Sequence, residues 1–437
     1  PTRTAAALSD WARASAMVTS PRNLRLKFRG AQSPMVMGAS WTVSGGRTPV
    51  SKITVVTCIE DLKQIYQRRV PKMFYDYAET GSWTEQTFVE NTADFQDLRF
   101  RQKIAVNMEG RSTESTMIGH NVSMPVALAP VGLTGMQCAD GEIKAARAAA
   151  KFGIPFTLST MSICSIEDVA EHTDQPFWFQ VYTLKDDDFM RRLMERAKAA
   201  NCSALVITVD LQMLGQRHKD LKNGLSAPPK LTIKSIADMM TKVSWGLEML
   251  GTKRRFFGNI VGHAKGVSDA SSLSSWTAEA FDQSLDWKRI EQLMEMWDGK
   301  VILKGILDAE DAKKAAELGA DAIVVSNHGG RQLDGASSSI RMLSHIVDTV
   351  GHQTEVMFDS GIRSGQDVLK AIALGAKGTM IGRAYTYGLG ARGEQGVTDA
   401  LRVIHKELDT TMGLCGRTRM SDINQEILMV PDGFHRK

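Results

Sequence analysis

The stretch Val301–Gly330, VILKGILDAEDAKKAAELGADAIVVSNHGG, contains one strand–helix–strand unit and decides the fold class. VILKGI is a short apolar run rich in β-branched residues, DAEDAKKAAELGA has the composition and spacing of a helix, and AIVVSNHG is a second apolar run. Nearly continuous apolar strands are typical of parallel sheets that are covered on both faces. The stretch therefore predicts an α/β architecture with a parallel sheet.

The same alternation continues outward on both sides of this unit. Six further apolar runs are separated mostly by helical segments; the runs are Pro125–Gly132, Pro155–Thr160, Pro176–Tyr182, Ala204–Asp210, Glu355–Gly361 and Gly378–Arg383. Eight strands that alternate with helices predict a closed (β/α)8 TIM barrel, and a doubly wound open sheet is the alternative. Residues 211–300 form a long insertion after the fourth strand, and insertions of this length are usually functional.

Composition excludes several classes of protein. The 437 residues are 43% apolar and 23% charged, which excludes wholesale disorder. Fifty-three Lys and Arg residues against 49 acidic residues give a net charge of +4, too small to indicate nucleic-acid binding. No apolar run in the sequence reaches the roughly 20 residues that cross a bilayer. The five cysteines include no CxxC pair, which favours reduced thiols over disulfides or a metal cluster.

Residues 1–50 differ in composition from the rest of the chain. They contain six arginines and one acidic residue, Asp10, among many Ser, Ala and Thr residues. This composition resembles an organelle transit peptide, and a disordered extension or a misplaced start is the preferred interpretation. We therefore assign residues 1–50 to an N-terminal extension and residues 51–437 to the barrel domain.

Polar residues end the predicted strands, at the edge where parallel barrels build their active sites. These strand-end residues include Gln180, Tyr182, Thr208, Asp210, Lys304, Asn327, His328, Asp359 and Arg383. Taken singly, each of these residues is explained as an ordinary polar side chain at the end of a strand. The trend across the strands, however, favours a shared site that contains a base, cations and phenols.

The turns after the seventh and eighth strands indicate a phosphate site. FDSGIRSGQD (358–367) and MIGRA (380–384) combine glycines with Arg363 and Arg383. Barrels frequently bind phosphate at these turns through backbone N–H groups and a helix N-terminus. The sequence has no GxGxxG after the first strand and no P-loop, which disfavours a nicotinamide dinucleotide or ATP.

Nine motifs occur in order between residues 55 and 420 and carry a specific resemblance. They are PKMFYDY, APVGLTGM, LSTMS, WFQVY, TVDLQMLGQRHKDLKNG, LKG, SNHGGRQLDGA, DSGIRSGQDV and GRAYTYG. With these motifs the chain resembles the FMN-dependent α-hydroxy-acid dehydrogenase/oxidase family. LGQRHKDLKNGLSAPPK and NIVGHAKG are most similar to bacterial quinone-linked L-lactate dehydrogenases. The resemblance implies FMN as the cofactor and no metal.

The resemblance also implies a role for each matching residue. His328 is the base that deprotonates the 2-hydroxy acid, Asp210 stabilises the resulting imidazolium, and Tyr182 hydrogen-bonds near the reacting hydroxyl. The substrate carboxylate is held by Tyr77, Arg217 and Arg331. The residues implied to bind FMN are Pro130, Val131, Gly132, Ser159, Gln180, Thr208, Lys304, Asp359, Gly361, Arg363, Gly382 and Arg383.

Two positions depart from the family pattern. Ser360 occupies a position where many relatives have Gly, so that it must tolerate the backbone of the phosphate turn. Val131 replaces the Thr of glycolate oxidase, which loses at most a side-chain contact to the flavin.

The implied reaction is the oxidation of an L-2-hydroxy acid. Met161 and Leu214 lie at positions that line the substrate pocket in relatives, and their bulk favours L-lactate, oxidised to pyruvate, over mandelate. Gly132 matches the dehydrogenases, whereas oxidases often have Ala. The alternatives are a glycolate or lactate oxidase that uses O2 and gives H2O2, and a mandelate dehydrogenase. The resemblance further implies a homotetramer.

The insertion indicates how electrons leave the enzyme. Residues 229–266 carry seven Lys or Arg residues against two acidic residues, interleaved with apolar and aromatic side chains. A basic amphipathic segment is typical of an anionic membrane surface, and a quinone acceptor requires membrane access. A mobile lid or a subunit contact is the alternative for this segment.

These features predict a peripheral protein on the cytoplasmic face of the bacterial inner membrane. A cytoplasmic location is the alternative, or a mitochondrial one if residues 1–50 are a transit peptide. No nucleic-acid partner is expected. The competing interpretation outside the enzymes is a module that binds RNA or lipid through the basic segments.

Overall fold

A parallel eight-stranded barrel forms the centre of the computed structural model, which describes residues 55–225, 232–267, 276 and 280–434. The strands are β1 Arg99–Phe100, β2 Ser115–Met117, β3 His120–Val122, β4 Val126–Leu128, β5 Thr157–Ser159, β6 Trp178–Tyr182, β7 Ala204–Thr208, β8 Lys300–Ile306, β9 Ala322–Val325, β10 Glu355–Phe358, β11 Gly378–Ile381 and β12 Leu428–Met429. Strands β4 to β11 pair in the order β4-β11-β10-β9-β8-β7-β6-β5. An isolated parallel bridge between Leu128 and Phe156 joins the two ends of this sheet. The predicted TIM barrel is confirmed.

Helices cover the outside of the barrel. They are α1 Ile59–Arg69, α2 Lys72–Ala78, α3 Gln86–Ala93, α4 Thr134–Gln137, α5 Gly141–Phe152, α6 Ile166–Glu171, α7 Asp187–Ala199, α8 His218–Lys222, α9 Ile233–Thr241, α10 Val243–Gly251, α11 Trp287–Glu295, α12 Ala309–Glu317, α13 Ser339–Val350, α14 Gly365–Ala373 and α15 Arg383–Leu414. Asp186, Asp308 and Ser364 begin α7, α12 and α14 as N-caps, because their side-chain oxygens accept backbone N–H groups of the first turn.

The strands are apolar on both faces because each face packs against a different core. Side chains such as Val206, Ile302 and Met357 fill the barrel interior. Their neighbours along the strands, such as Leu205 and Leu303, pack outward against the helices. The β2–β3 hairpin contributes Met117 to the interior cluster and therefore covers one end of the barrel.

Two pairings position the catalytic edge of the barrel. Thr208 at the end of β7 lies in register with Lys304 of β8. Strand β8 then has an irregularity between Lys304 and Ile306, where Gly305 adopts a φ of +110°. This turn of the backbone is available to glycine without strain. It brings the chain close to the residues that follow β7.

The insertion between β7 and β8 contains α8 to α11 and is attached to the barrel by polar contacts. Arg69 at the end of α1 forms an ion pair with Glu248 of α10. Trp245 Nε1 donates to the carbonyl of Met136, 2.9 Å away. Apolar side chains on the other side of α9 and α10 are exposed, among them Ile233 at 88%, Met240 at 77% and Leu250 at 72%.

The N-terminal extension of residues 1–50 lies outside the described residues. All five cysteines are unpaired in the structure. Within the described ranges, no helix combines the length and apolarity that a membrane span requires.

Candidate active site

A cavity of about 690 Å³ opens at the carboxyl ends of the barrel strands. This volume is in the range of cofactor and small-molecule sites. The predicted site residues that line it are Tyr77, Pro130, Val131, Gly132, Tyr182, Thr208, Arg217, Lys304, His328, Arg331, Asp359, Gly361, Arg363, Gly382 and Arg383. Ser159 and Gln180 are buried beside this lining, and Asp210 contacts it through His328. The structure therefore brings the whole predicted set together.

A histidine–carboxylate pair lies in this cavity. His328 Nδ1 is 2.9 Å from Asp210 Oδ1, which leaves Nε2 as the nitrogen that can exchange a proton with a ligand. His328 has a φ of +58°, and its backbone N–H donates to Ser326 Oγ. Burial acts to raise the pKa of Asp210, but the charge and hydrogen bond of His328 and the charge of Lys304 hold that pKa below its ordinary value. Asp210 is therefore ionised at neutral pH.

Gly305 fixes the place of the Asp210 side chain. A Cβ at this position would lie 2.6 Å from Asp210 Cγ and 2.9 Å from Oδ2. Contacts this short are sterically forbidden, so only glycine allows the carboxylate to occupy its present position beside His328.

Lys304 is a buried cation next to the pair. Its Nζ lies 2.8 Å from Asp359 Oδ2 and 3.0 Å from Ser326 Oγ. Burial acts to lower the pKa of Lys304, but the charges of Asp359 and Asp210 outweigh it and raise the pKa above its ordinary value. The ammonium group remains charged where water is largely excluded.

Two guanidinium groups form the opposite wall of the cavity. Arg331 Cζ lies 4.7 Å from the centroid of the Tyr77 ring, and Arg217 Cζ lies 6.0 Å from it. Arg331 Nη1 also donates to the carbonyls of Tyr77 and Thr80. Burial and the charge of Arg217 both lower the pKa of Arg331, while burial raises the pKa of Tyr182. The wall thus presents two close cations beside a protonated phenol.

Apolar side chains complete this part of the cavity. Met161 and Leu214 both line it, and so do Phe257 and Phe281, which the sequence analysis did not identify. The Phe281 ring contacts the Tyr182 ring edge-on, with centroids 5.7 Å apart. Phe281 reaches this place through an antiparallel bridge to Leu184, a tertiary contact that leaves no local signal in the sequence.

The other end of the cavity has the chemistry of a phosphate site. Helix α15 begins there at Arg383, and its N-cap, Gly382, has no side chain to occupy the first N–H groups. Arg363 lies beside this helix end. Gly361 has a φ of +93°, and a Cβ there would lie 1.8 Å from the carbonyl oxygen of Asn91. The local backbone thus requires glycine at position 361, whereas a Cβ at position 382 would make only ordinary contacts, the nearest 3.7 Å from Val131 Cγ2.

The guanidinium of Arg383 is bound to backbone carbonyls and is not free to contact a phosphate directly. Its guanidinium donates to the carbonyls of Ala78, Thr80 and Gly329 at 2.7, 2.8 and 3.0 Å. Burial lowers the pKa of this guanidinium to about 10. The side chain therefore joins two loops. A phosphate at this helix end would be bound by the backbone N–H of Arg383 and attracted by the positive charge of its guanidinium.

A buried amide beside the cavity has an N–H group that could bind a ligand. Gln180 Nε2 is buried and has no hydrogen-bond partner within the described part of the chain, while its Oε1 accepts from Ser159 Oγ at 3.0 Å. A buried amide without a partner is costly unless a ligand completes it. A flat heterocycle that carries hydrogen-bonding groups, joined to a phosphate, fits this site.

The hydroxyl group of Ser360 connects two loops of the site. It has a φ of +80°, which is unfavourable for a residue with a side chain. Its Oγ donates to Asp359 Oδ1 at 2.8 Å and accepts from the N–H of Gly329 at 3.0 Å. The hydroxyl therefore connects the phosphate turn to the loop that carries His328.

Glu142 supports the two loops on the far side of the cavity. This buried carboxylate accepts backbone N–H groups from Gly135 at 2.8 Å, Ile163 at 3.0 Å and Cys164 at 3.4 Å. Gly135 follows the loop of Pro130–Gly132, and Ile163 follows Ser159. One side chain therefore holds together two segments that line or support the cavity. Among the residues that the structure describes, no group of three or more His, Cys, Asp or Glu is placed to hold a metal ion.

Comparisons with known proteins agree with this geometry. Residues 66–430 match the model of a family described as FMN-dependent dehydrogenase. The chain is 44% identical over 377 residues to an L-lactate dehydrogenase of Pseudomonas entomophila, covering 86% of this chain and 98% of the relative. An L-lactate dehydrogenase of Haemophilus influenzae is 44% identical over 379 residues, with the same two coverages.

Solved structures give the same result for the fold. The monotopic membrane protein (S)-mandelate dehydrogenase is similar with a TM-score of 0.82 and 35% identity, over 86% of this chain and all of that one. A mandelate oxidase solved with (S)-4-hydroxymandelic acid gives a TM-score of 0.74 and 33% identity, over 86% of this chain and 98% of that one. Dehydrogenases and oxidases therefore share this fold.

Proposed function

Because the chain belongs to the FMN-dependent dehydrogenase family, oxidoreductases that act on CH–OH groups, we propose that it oxidises L-lactate to pyruvate and passes the electrons to a membrane quinone. The observation that carries the proposal is the shared cavity of a base, His328, and two carboxylate-binding cations, Arg217 and Arg331. A 2-hydroxy acid presents a carboxylate and a reacting hydroxyl on adjacent carbons, which matches these two kinds of group.

Arg217 and Arg331 bind the substrate carboxylate and thereby orient the Cα–H bond. Two guanidinium groups hold a carboxylate through charge-assisted hydrogen bonds, which restrict its rotation. Tyr77 and Tyr182 add hydroxyl donors on the same side. Since burial raises the pKa of Tyr182, its phenol stays protonated and donates to the substrate oxygen.

His328 then takes the hydroxyl proton at Nε2. Its Nδ1 is already bound to Asp210, whose charge stabilises the imidazolium that forms. FMN bound in this cavity would supply the two-electron acceptor that takes the Cα hydrogen with its bonding pair as a hydride, and the link to the quinone. Lys304 supplies a fixed positive charge on the cofactor side of the cavity, which offsets the negative charge that arrives there.

Two sets of residues would hold the cofactor. Its ring would be held by Pro130, Val131, Gly132, Thr208, Lys304 and the amide of Gln180. Its ribityl and phosphate groups would be held by a second set of residues: Asp359, Gly361, Arg363, Gly382 and the N-terminus of α15 at Arg383.

The apolar end of the cavity favours a small substrate side chain. Met161, Leu214 and Phe281 line the cavity that also contains the two arginines. Their bulk favours a methyl group over a phenyl ring on the substrate Cα. Mandelate is therefore the competing substrate.

The direct test is anaerobic reduction of the purified flavoprotein. L-Lactate should bleach the flavin absorbance, with kcat/KM at least tenfold higher than for (S)-mandelate or glycolate. A higher kcat/KM for (S)-mandelate than for L-lactate would identify mandelate as the substrate instead. Failure of all three hydroxy acids to reduce the bound flavin would refute the proposed activity.

The acceptor proposal rests on the exposed surface of α9 and α10. Its apolar residues are Ile233, Ile236, Met240, Val243, Leu247 and Leu250, which we call the α9–α10 surface. Phe256, just beyond α10, is exposed and also lines the cavity. An apolar acceptor dissolved in a bilayer would thus meet the protein next to the active-site opening. This supports peripheral attachment to a membrane, and we propose the cytoplasmic face of the inner membrane as its location.

Not every basic residue of this segment is available to a membrane. Arg254 forms ion pairs with Asp168 at 2.7 Å and with Asp140 at 3.1 Å, and so attaches the insertion to the barrel. Arg255 donates to the carbonyls of Met249 and Thr252. Lys253 is exposed and is the basic residue of this triplet best suited to an anionic lipid.

The membrane experiment compares two double variants of equal charge. Leu247→Glu with Leu250→Glu should lower binding to anionic vesicles at least tenfold, since each charge opposes both burial and the anionic surface. Ile104→Glu with Leu414→Glu places the same charges on exposed apolar residues outside the insertion and should change binding little.

Lactate oxidation with a soluble dye should survive in both double variants, while quinone reduction in membranes should fall in the first alone. If both variants bind vesicles equally, the α9–α10 surface does not bind the membrane, and the alternative of a lid or a subunit contact is favoured. Faster reoxidation of the reduced enzyme by O2 than by quinone would establish the oxidase alternative.

A further inference from the structure

Asp220 is a carboxylate that faces the carboxylate-binding wall. It lies on α8, lines the cavity and is only 7% exposed. Its Oδ2 is 3.6 Å from Arg217 Nε, and its Oδ1 is buried without a hydrogen-bond partner in the described residues. An acidic group in a site for an anionic substrate works against binding, so it requires an explanation.

The charges around Asp220 come from three elements. Arg217 at the start of α8 and Arg331 after β9 are attractive, and Lys219 on α8 adds a more distant positive charge that is paired with Glu85. From α2, Asp76 is repulsive, but its Oδ2 is held by Lys72 and by Asn223 Nδ2 at 2.7 Å. The phenols of Tyr77 and Tyr182 and the His328–Asp210 pair lie across the same cavity.

We propose that Asp220 is a counter-charge of the Arg217–Arg331 pair and limits how tightly the site holds a carboxylate. This inference rests on the proposed function, because it concerns the substrate's carboxylate. With Asp220 ionised, the three groups carry a net charge of +1, which one bound carboxylate neutralises. Without that negative charge, two adjacent cations would hold substrate and product more tightly.

The benefit of such a group lies in product release. Lactate and pyruvate carry the same carboxylate, so the arginine pair attracts both equally. Uniform tight binding lowers KM without lowering the barrier of the chemical step, and it slows the departure of the product. Asp220 therefore acts as a positioning residue that weakens uniform binding through the arginines.

The proposal predicts a pH dependence with a defined sign. Burial raises the pKa of Asp220, although the charges of Arg331 and Arg217 oppose the shift. The protonated form leaves the arginine pair uncompensated, so a carboxylate ligand binds best below this pKa. Its Kd should rise as the pH increases through the pKa of Asp220.

The test measures oxamate binding to the oxidised FMN holoenzyme by the perturbation of the flavin spectrum. Asp220→Asn should bind oxamate about tenfold more tightly than wild type at pH 8, a factor that corresponds to the loss of one screened charge contact. The ratio of the two Kd values should approach one as the pH falls toward the pKa of Asp220.

A matched control is Asp76→Asn, which removes a neighbouring buried carboxylate whose Oδ2 is already bound by Lys72 and Asn223. It should change the Kd by less than threefold at every pH. If the amide prevents folding or FMN binding, Asp220→Ser offers a smaller neutral side chain for the same comparison. In steady state, Asp220→Asn should lower KM for lactate more than it changes kcat.

A purely structural role predicts the opposite sign. Loss of Asp220 would then loosen Arg217 and weaken oxamate binding at all pH values, and this result would overturn the proposal. Equal Kd values for the neutral variant and wild type at pH 8 would overturn it as well. The proposed function fails separately, if L-lactate does not reduce the flavin of the wild-type enzyme.

Discussion

Substitution of Gly305 by alanine tests the catalytic pair without touching either of its members. The new Cβ would lie 2.6 Å from Asp210 Cγ, whereas ordinary contacts begin at 3.4 Å, so the carboxylate must move by the difference of about 0.8 Å. His328 Nδ1 and Asp210 Oδ1 are now 2.9 Å apart, and this displacement is enough to break or misalign their hydrogen bond. Displacements near 1 Å in a catalytic group cost on the order of 100-fold in rate.

The control for this variant is Gly319→Ala. Gly319 also has a positive φ, +81°, but a Cβ there meets no atom within 4 Å. Alanine strains the backbone at both positive-φ positions, and Gly305→Ala alone also displaces Asp210. The assay is anaerobic stopped-flow reduction of the flavin by L-lactate, with FMN content and Tm measured in parallel.

We expect Gly305→Ala to keep its FMN and to reduce it about 100-fold more slowly than Gly319→Ala. A difference of less than threefold between the two variants would refute the reasoning. It would show either that Asp210 relaxes without loss of alignment or that the pair does not limit flavin reduction.

Three further variants test other parts of the site. His328→Gln should retain FMN and lose more than nine-tenths of turnover, because the base is removed while the phosphate end is intact; turnover above a tenth of wild type would exclude His328 from this role. Arg331→Met should raise KM for lactate and slow flavin reduction together, and unchanged kinetics would show that Arg217 suffices. Glu142→Gln should lower the Tm and weaken FMN binding, since its amide cannot accept all three N–H groups; wild-type Tm and FMN affinity would show that the loops do not need the carboxylate.

The sequence predicted the barrel because its signal is local. Runs such as AIVVSNHG are apolar along their whole length, which is sufficient to identify a strand buried on both faces. The site residues follow the strand ends, so their assembly on one edge follows from the topology. The positions of Lys304 and His328 were predictable in this way.

Other features depend on contacts between residues distant in sequence. The role of Ser360 requires knowledge that Gly329, 31 residues away, presents its N–H to the same hydroxyl. The basic composition of the insertion suggested a membrane surface for Arg254, whose partners Asp140 and Asp168 lie 114 and 86 residues earlier. Composition reports how many charges a segment has, but only the tertiary structure shows which of them are already paired.

The carbonyl groups at the end of α2 are bound by arginines that are synthesised much later, which affects how the nascent chain folds. Arg331 binds the carbonyls of Tyr77 and Thr80, and Arg383 binds those of Ala78 and Thr80, across 251 to 305 residues of chain. A nascent polypeptide can make the Arg331 contacts once the loop after β9 has left the ribosome. It cannot make the Arg383 contacts until β11 has followed, by which time most of the barrel has been synthesised. The cofactor pocket is therefore completed by the last part of the barrel to be translated, and a chain that stops before Arg383 should form strands and helices without acquiring flavin.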